Sequence, residues 1–167
     1  MSLDLIYDRT ESDVNAAEDI RAKYQALADW SGLTDEEISQ LERGMLTNVT
    51  LNRVEAAVKQ LAAELNAAGY TVEILPQTFA ETDIIRLSQW RQYLANVQAL
   101  RDAYYTLAET GQLPDAEDRL DYISANNIEK ILADIDLLIG WMKSSYRRCG
   151  TFQAGNNAAH LPLKGSI

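Results

Sequence analysis

The sequence is poor in the residues that build most chemical sites. It has one cysteine and one histidine among 167 residues. The single cysteine, Cys149, excludes an intramolecular disulfide and a thiolate metal cage. The single histidine, His160, lies in a stretch without helical periodicity, so no Ser-His-Asp triad or Cys-His pair can be built on the regular part of the chain. Glu-x-x-His pairs and glycine-rich phosphate loops are also missing. We therefore expect no enzymatic activity, no catalytic residue, no cofactor and no metal ion.

Positive charge and long hydrophobic runs are scarce as well. The chain has 15 Lys and Arg against 25 Asp and Glu, which gives a formal net charge of -10. This charge repels phosphate backbones, so we expect no nucleic-acid partner. The longest charge-free apolar run of the last predicted helix is Leu137–Met142, far short of the roughly 18–20 residues that cross a bilayer. We expect a soluble protein without a secretory signal and without a membrane partner.

Apolar residues recur at three- and four-residue steps over most of the chain, which is typical of amphipathic helices. The clearest run begins with a cap residue, carries an apolar seam and ends at a glycine. A shorter run opens with a capping box, in which Thr34 and Glu37 bond each other's main chain. The predicted helices cover about Ser12–Trp30, Thr34–Gly44, Thr50–Gly69, about Arg86–Leu107, and Ser124 or Asn126 to about Tyr146.

These elements predict an all-α, or nearly all-α, single domain over residues 1–148. Three helices near 20 residues are each about 30 Å long, a matched set for an antiparallel bundle with one or two short helices added. The alternating segment Tyr70–Leu75 is the best strand candidate, and its natural partner is Leu3–Tyr7, so we allow a minor two-stranded β ribbon. Residues 149–167 have no periodic face and are predicted to form an extended or flexible tail.

Two details of the long helices need an explanation. The residues that start Thr50–Gly69 recur at the same spacing in the last helix. This recurrence indicates either a duplicated helical hairpin or, as we favour, two helices with the same capping and packing requirements. The matching residues are Thr50, Asn52, Val54 and Glu55 against Ser124, Asn126, Ile128 and Glu129. Gly140 inside the last helix costs about 1 kcal/mol relative to alanine, so we predict that a neighbouring helix approaches closely there.

Two side-chain clusters invite a binding site but have a simpler interpretation. The acidic cluster lacks the turn glycine and the terminal glutamate of an EF-hand, so we interpret it as a solvated loop and not as a calcium site. The aromatic cluster has helical spacing, which favours core packing over ligand stacking. The acidic cluster is Asp115, Glu117, Asp118 and Asp121, and the aromatic cluster is Trp90, Tyr93, Tyr104 and Trp141.

Candidates for an interaction surface remain: Asn52, Arg53, Arg147, Arg148 and Phe152. Asn52 and Arg53 lie on the first turn of the predicted helix, where they bond the preceding linker or face a partner. Arg147 and Arg148 are placed on a last helical turn, where basic residues commonly complement the helix dipole. Phe152 lies between two pairs of a small residue and glycine. This pattern fits either a flexible terminus or an arm that pairs with the sheet edge of another subunit.

Three motifs carry a resemblance to known proteins: DLIYDRT at Asp4–Thr10, LNRVEAAVKQLAAELNAAGY at Leu51–Tyr70, and NNIEKIL at Asn126–Leu132 followed by YRRCGTFQAG at Tyr146–Gly155. Together they resemble a family of small proteins encoded in the tail-structure modules of phages and prophages of Gram-positive bacteria. Members typically show a Leu-Asn-Arg-Val helix start, a Gly-Tyr followed by a short extended piece, and an ending of an aromatic residue, a small residue and glycine. The resemblance extends from Asp4 to Gly155 and leaves Asn156–Ile167 uncovered.

The resemblance implies a virion or tail-assembly component and supplies no catalytic residue. We expect a non-enzymatic phage or prophage structural or tail-assembly protein that acts through protein–protein contacts. Its expected partners are other phage tail proteins or further copies of itself, and no small-molecule substrate is expected. The expected location is the cytoplasm of the bacterial host during assembly and then the virion. The alternative is a soluble acidic phage regulatory or inhibitor protein that mimics nucleic acid and binds a host protein, which the net charge of -10 motivates.

Overall fold

The computed structural model describes residues 3–81, 83–118 and 120–149, with side chains as far as Ser145. These ranges contain helices and no β-strand, so the predicted mainly helical fold is confirmed. The helices are α1 (Glu11–Leu27), α2 (Asp35–Gly44), α3 (Asn48–Ala67), α4 (Leu87–Ala103) and α5 (Tyr122–Cys149).

Reciprocal capping boxes start the first three helices. The box of Thr34 and Glu37 begins α2 as predicted. Helix α3 begins earlier than predicted, because Thr47 and not Thr50 is its cap. The Thr47 main-chain N–H donates to Thr50 Oγ1 at 2.8 Å, and the Thr50 N–H donates to Thr47 Oγ1 at 3.2 Å. A threonine therefore fills the inner position of the box, where the sequence rule expects Glu or Gln.

Helices α3 and α5 run in the same direction, which differs from the expected antiparallel arrangement. Arg53 Nη2 lies 3.2 Å from Glu129 Oε1 near the N-terminal ends of both helices. Lys143 Nζ lies 2.7 Å from Glu64 Oε2 nearer their C-terminal ends. Two contacts in the same order along both helices define a parallel pair.

Helix α4 runs in this direction too. Asn96 Nδ2 donates to Glu55 Oε1 at 3.2 Å, and the rings of Tyr70 and Tyr104, which follow α3 and α4, lie 4.9 Å apart. The connections over residues 68–86 and 104–121 make the parallel order feasible. About ten extended residues span the roughly 30 Å of a 20-residue helix, so each connection is long enough to return the chain to the starting end.

The core lies between α3, α4 and α5 and includes two side chains from the first connection. Each fully buried aliphatic side chain stabilises the fold by about 1.5–3 kcal/mol. The core includes Val54, Val58, Leu61, Leu65, Val97, Leu100, Ile128, Ile131, Leu132, Ile135 and Ile139, with Val72 and Phe79 from the first connection. Tyr93 is buried in this core, and Trp90 and Tyr104 pack against it as predicted. Trp141 is 55% exposed, so its predicted place in the core is wrong.

Helices α1 and α2 form a separate helical hairpin, residues 11–44. The buried residues of α1, which are Ala17, Ile20 and Tyr24, do not belong to the core of the bundle. Gly44 permits the close approach of the two helices, because a Cβ there would lie 2.3 Å from the Asp13 carbonyl oxygen. At Gly140 the prediction of a close neighbour is wrong for the described part of the chain, since no atom from outside this stretch of α5 lies within 4 Å of the place of a Cβ there.

Candidate functional site

Four asparagine side chains each bind both main-chain groups of one residue in an extended segment. In each case Oδ1 accepts from a main-chain N–H at 2.8–3.0 Å, and Nδ2 donates to the carbonyl oxygen of the same residue at 2.8–3.1 Å. The side-chain amide thus offers the donor and acceptor that a neighbouring β-strand would offer. We call each arrangement an asparagine clamp. The pairs are Asn52 with Phe79, Asn66 with Val72, Asn96 with Leu75, and Asn126 with Arg9.

The first connection is held by three of these clamps, which explains why the predicted β ribbon is wrong. Val72 is bound near the C-terminal end of α3, and Phe79 is bound near its N-terminal end. The segment between them therefore runs back along the helices. Its alternating sequence does mark extended chain, but its main-chain groups bond to helix side chains and not to another strand.

The other segment of the predicted ribbon is held on α5. We call residues 3–9 the arm. The Arg9 N–H donates to Asn126 Oδ1 at 3.0 Å, and the Ile6 N–H donates to Glu129 Oε2 at 2.6 Å. Leu3 and Leu5 of the arm pack against the core. We call Asn126 and Glu129 together the α5 clamp, and the arm passes along it in the direction opposite to the helix.

Two arginines and one carboxylate form a buried ionic cluster at the α5 clamp. Arg9 Nη2 lies 2.5 Å and Arg53 Nη2 lies 3.2 Å from Glu129 Oε1. The side chains of Arg9 and Glu129 are 5% and 3% exposed. The remaining Arg9 nitrogens donate to the carbonyl oxygens of Arg43 and Ile6. A buried carboxylate without a cationic partner is strongly destabilising, so both arginines contribute here: Arg9 ties the arm to α5, and Arg53 neutralises Glu129 from within the bundle.

The same arrangement occurs on α3, where Asn52 and Glu55 form what we call the α3 clamp. Both clamps follow the pattern Asn-x-Val/Ile-Glu, with Val54 on α3 and Ile128 on α5. The recurring residues of α3 and α5 thus have the same structural role: on each helix they bind an extended segment to the helix face.

The two buried glutamates differ in their electrostatic surroundings. Glu55 is 1% exposed, and among the described residues no arginine forms an ion pair with it. Burial raises the pKa of Glu55, and the main-chain amide of Gln77, the Asn96 amide and Lys59 only partly oppose that shift. Burial also raises the pKa of Tyr93 well above its usual range, and the charges of Glu129 and Glu55 add to this effect. The raised pKa means that Glu55 keeps its proton to a higher pH than an ordinary glutamate does.

A pocket of about 410 Å³ lies between the helical hairpin and the N-terminal ends of α3, α4 and α5. The arginines and the glutamate that line it are already engaged: Arg9 and Glu129 bond each other, and Arg43 pairs with Asp8 and Asp13. Most of its wall is apolar, and no nucleophile lies beside a general base among the residues that line it. The lining includes Val14, Leu46, Trp90, Tyr93 and Tyr122.

The structure places two of the five predicted interaction residues. Asn52 holds Phe79, and Arg53 joins the ionic cluster, so both contribute polar contacts within the chain. Arg53 Nε is buried without a hydrogen-bond partner among the described residues. The side chains of Arg147 and Arg148, and all of Phe152 with the predicted tail arm, lie outside the described residues.

The sequence signal for the clamps was incomplete. Asn126 and Glu129 were visible as the counterparts of Asn52 and Glu55, but their partners in the arm were not. Asn66 and Asn96 stand in ordinary helical positions, and no spacing distinguishes them from exposed asparagines.

The acidic residues of the predicted solvated loop contact different partners. Glu117 pairs with Arg91 at 2.5 Å, and Asp121 accepts from the Ser124 N–H at 2.7 Å at the start of α5. Within the described residues no three His, Cys, Asp or Glu side chains are grouped to hold a metal ion. None of the described helices has the length and apolar character that a bilayer crossing requires.

Comparison with known proteins gives no match: no protein family, no curated protein and no solved structure is significantly similar to this chain. The resemblance to phage tail-module proteins therefore stays a prediction.

Proposed function

We propose that this protein is a non-enzymatic structural or tail-assembly protein of a phage or prophage and that it acts through protein–protein contacts. The observation that carries the proposal is the exposure of large apolar side chains, and the resemblance of the three sequence motifs to tail-module proteins supports it. Ile84 is 89% exposed, and Leu75 and Tyr105 are each 68% exposed. Single exposed apolar side chains are ordinary, but exposed apolar side chains that adjoin one another mark surfaces that partners cover.

Other exposed apolar side chains lie next to each other. Leu137 and Trp141 are one turn apart on the same face of α5, and both are exposed. Leu27 and Trp30 are exposed at the end of α1. Tryptophan is enriched among the residues that anchor protein interfaces, so an exposed tryptophan beside further apolar surface supports a role in assembly with tail proteins or further copies of this chain.

Mass spectrometry of purified induced phage particles tests the proposal. We expect the protein in virions or in assembly intermediates at a fixed ratio to other tail proteins. A Leu137→Ser/Trp141→Ser double variant should be incorporated less, while Ser145→Ala, on an exposed position of the same helix, should be incorporated normally. Absence of the wild-type protein from virions and from all assembly intermediates would contradict the proposal.

A second candidate is an acidic regulatory or inhibitor protein that binds a host protein. Its support is the net charge of -10 together with exposed acids on the helical hairpin, among them Glu11, Glu18 and Asp19. A pull-down from host lysate separates the two candidates. Recovery of tail components without any nucleic-acid enzyme would count against the inhibitor.

A further inference from the structure

We propose that the arm and the helical hairpin exchange between copies of this chain, so that residues 3–9 of one copy occupy the α5 clamp of another. The inference deepens the proposed function, on which it rests, because it names a partner and the surface that the partner uses. That partner is a second copy of the chain.

The first argument is the chemistry of recognition. The α5 clamp bonds main-chain groups of Ile6 and Arg9 and the guanidinium of Arg9. None of these contacts depends on secondary structure within the arm. A clamp of this kind therefore binds the arm of its own chain and the arm of a neighbouring copy with the same atoms.

The second argument is the weak attachment of the hairpin to the bundle. Helices α1 and α2 pack on each other; the buried residues of α1 lie outside the core of the bundle, and α2 has no buried residue. The pocket of about 410 Å³ lies between the two parts. Departure of the hairpin thus breaks few contacts beyond those of the arm, and a neighbouring copy restores the contacts of the arm.

The third argument is the connection between the two parts. Met45 and Leu46 are the only residues between the end of α2 at Gly44 and the cap of α3 at Thr47. Met45 is already extended, with φ -127° and ψ 153°. A short extended hinge of this kind favours exchange between copies, because a small change of its backbone carries the preceding element to another molecule.

The fourth argument is the charge of the vacant clamp. When the arm leaves, Glu129 keeps the contact with Arg53 at 3.2 Å, and Arg9 becomes hydrated. The opened state therefore contains no unpaired buried carboxylate, which lowers the free energy of opening.

The α3 clamp provides the contrast. The segment that it holds lies between α3 and α4, which share one core, and Asn66 and Asn96 bind the same segment. This segment cannot leave without unfolding the bundle. Exchange is therefore confined to the α5 clamp, and substitutions in the α3 clamp serve as matched controls.

The test mixes two full-length variants with complementary defects. Asn126→Ala has a damaged clamp and an intact arm, whereas Ile6→Pro/Arg9→Ala has an intact clamp and a damaged arm. Neither variant can form the full contact between arm and α5 clamp within one molecule. In a mixed dimer, the intact arm of the first variant can bind the intact clamp of the second. We expect light scattering to detect a species of twice 18.7 kDa in the mixture, with a Kd at least about tenfold lower than that of either variant alone.

The control mixture contains Asn52→Ala and the same arm variant. Asn52→Ala keeps its own arm on its own α5 clamp, so pairing adds no native contact and no new dimer is expected. Equal dimer formation in the two mixtures would contradict the proposed exchange.

Refolding of the wild-type chain tests the same idea without any variant. Refolding at high protein concentration should yield dimers that persist after dilution, because separation requires the clamps to open. A chain that is monomeric after refolding at every concentration would overturn the exchange. Detection of that chain in phage particles would still leave the proposed assembly role standing, so the two failures are distinguishable.

Discussion

Asn52 of α3 and Asn126 of α5 lie near the starts of two parallel helices, and each binds the N–H and the carbonyl oxygen of one extended residue. A glutamate three residues further on faces the same extended segment in both cases. The helix faces thereby replace a neighbouring strand. This arrangement also accounts for the parallel order of the helices, since the chain that returns to the starting end is held along the way.

Asn96→Ala should destabilise the protein by about 2–3 kcal/mol, because the N–H and carbonyl of Leu75 lose their partners and the buried carboxylate of Glu55 loses a donor. Urea unfolding followed by circular dichroism measures the change. Asn15→Ala, at an exposed position of α1, is the control and should change the free energy of unfolding by less than about 0.5 kcal/mol. Equal effects of the two substitutions would show that the clamp contributes nothing.

Glu55→Gln should stabilise the protein at neutral pH and have little effect below pH 4. The folded-state pKa of Glu55 is raised above its ordinary 4.5, so the folded chain retains a proton that the unfolded chain releases. The contribution of Glu55 to stability is thus fully present below about 4.5 and is lost as pH rises through the raised pKa. Thermal unfolding of wild type and variant between pH 4 and pH 8 tests this. Glu109→Gln, at an exposed site, should leave the pH dependence unchanged.

Glu37 should titrate far below an ordinary glutamate. Lys23 Nζ and the Tyr24 hydroxyl both donate to its carboxylate, at 2.7 and 2.6 Å, and together with the Thr34 main chain they lower its pKa from 4.5 to about 2. The stability that Glu37 contributes to the hairpin is therefore present above 4.5 and lost as pH falls through about 2. A carbon-detected NMR titration should show that Lys23→Met raises the midpoint more than Tyr24→Phe. An ordinary midpoint in the wild type would contradict the geometry.

Two glycine-to-alanine substitutions should have opposite effects. Gly44→Ala places a methyl group 2.3 Å from the Asp13 carbonyl oxygen and 2.5 Å from Ala17 Cβ, so it should destabilise the hairpin by about 1–3 kcal/mol. Gly140→Ala adds a methyl group that meets no neighbouring element within 4 Å among the described residues and improves helix propensity, so it should stabilise the protein by about 0.5–1 kcal/mol. Melting temperatures compare the pair directly. Destabilisation by Gly140→Ala would mean that a partner approaches α5 there.

The sequence predicted the helices well because their signals are local. Thr34 with Glu37, and the apolar seam of α3, act within a few turns of one helix. The direction of the long helices was predicted wrongly, because periodicity does not show how far a connection travels. The length of residues 68–86 was the available clue, since an antiparallel neighbour needs a much shorter loop.

The clamps were harder to predict because they join residues far apart in the chain. Alternation over Tyr70–Leu75 indicates extended chain with one buried face, but it does not show whether a strand or a helix covers that face. The repeated Asn-x-Val/Ile-Glu pattern on α3 and α5 is the only part of the clamps that the sequence shows. The sequence does not show that these asparagines bind Phe79 and Arg9, because main-chain groups are the same at every residue.

Hydrogen exchange by NMR tests the central claim most directly, because it reports on the main-chain amides that the helix side chains bind. Val72, Leu75 and Phe79 lie in a segment without secondary structure, and the exposed neighbours Thr71 and Glu73 lie in the same segment. We predict that the three clamped amides exchange at least about a hundredfold more slowly than the two neighbours. Exchange at the same rate for all five amides would contradict the account.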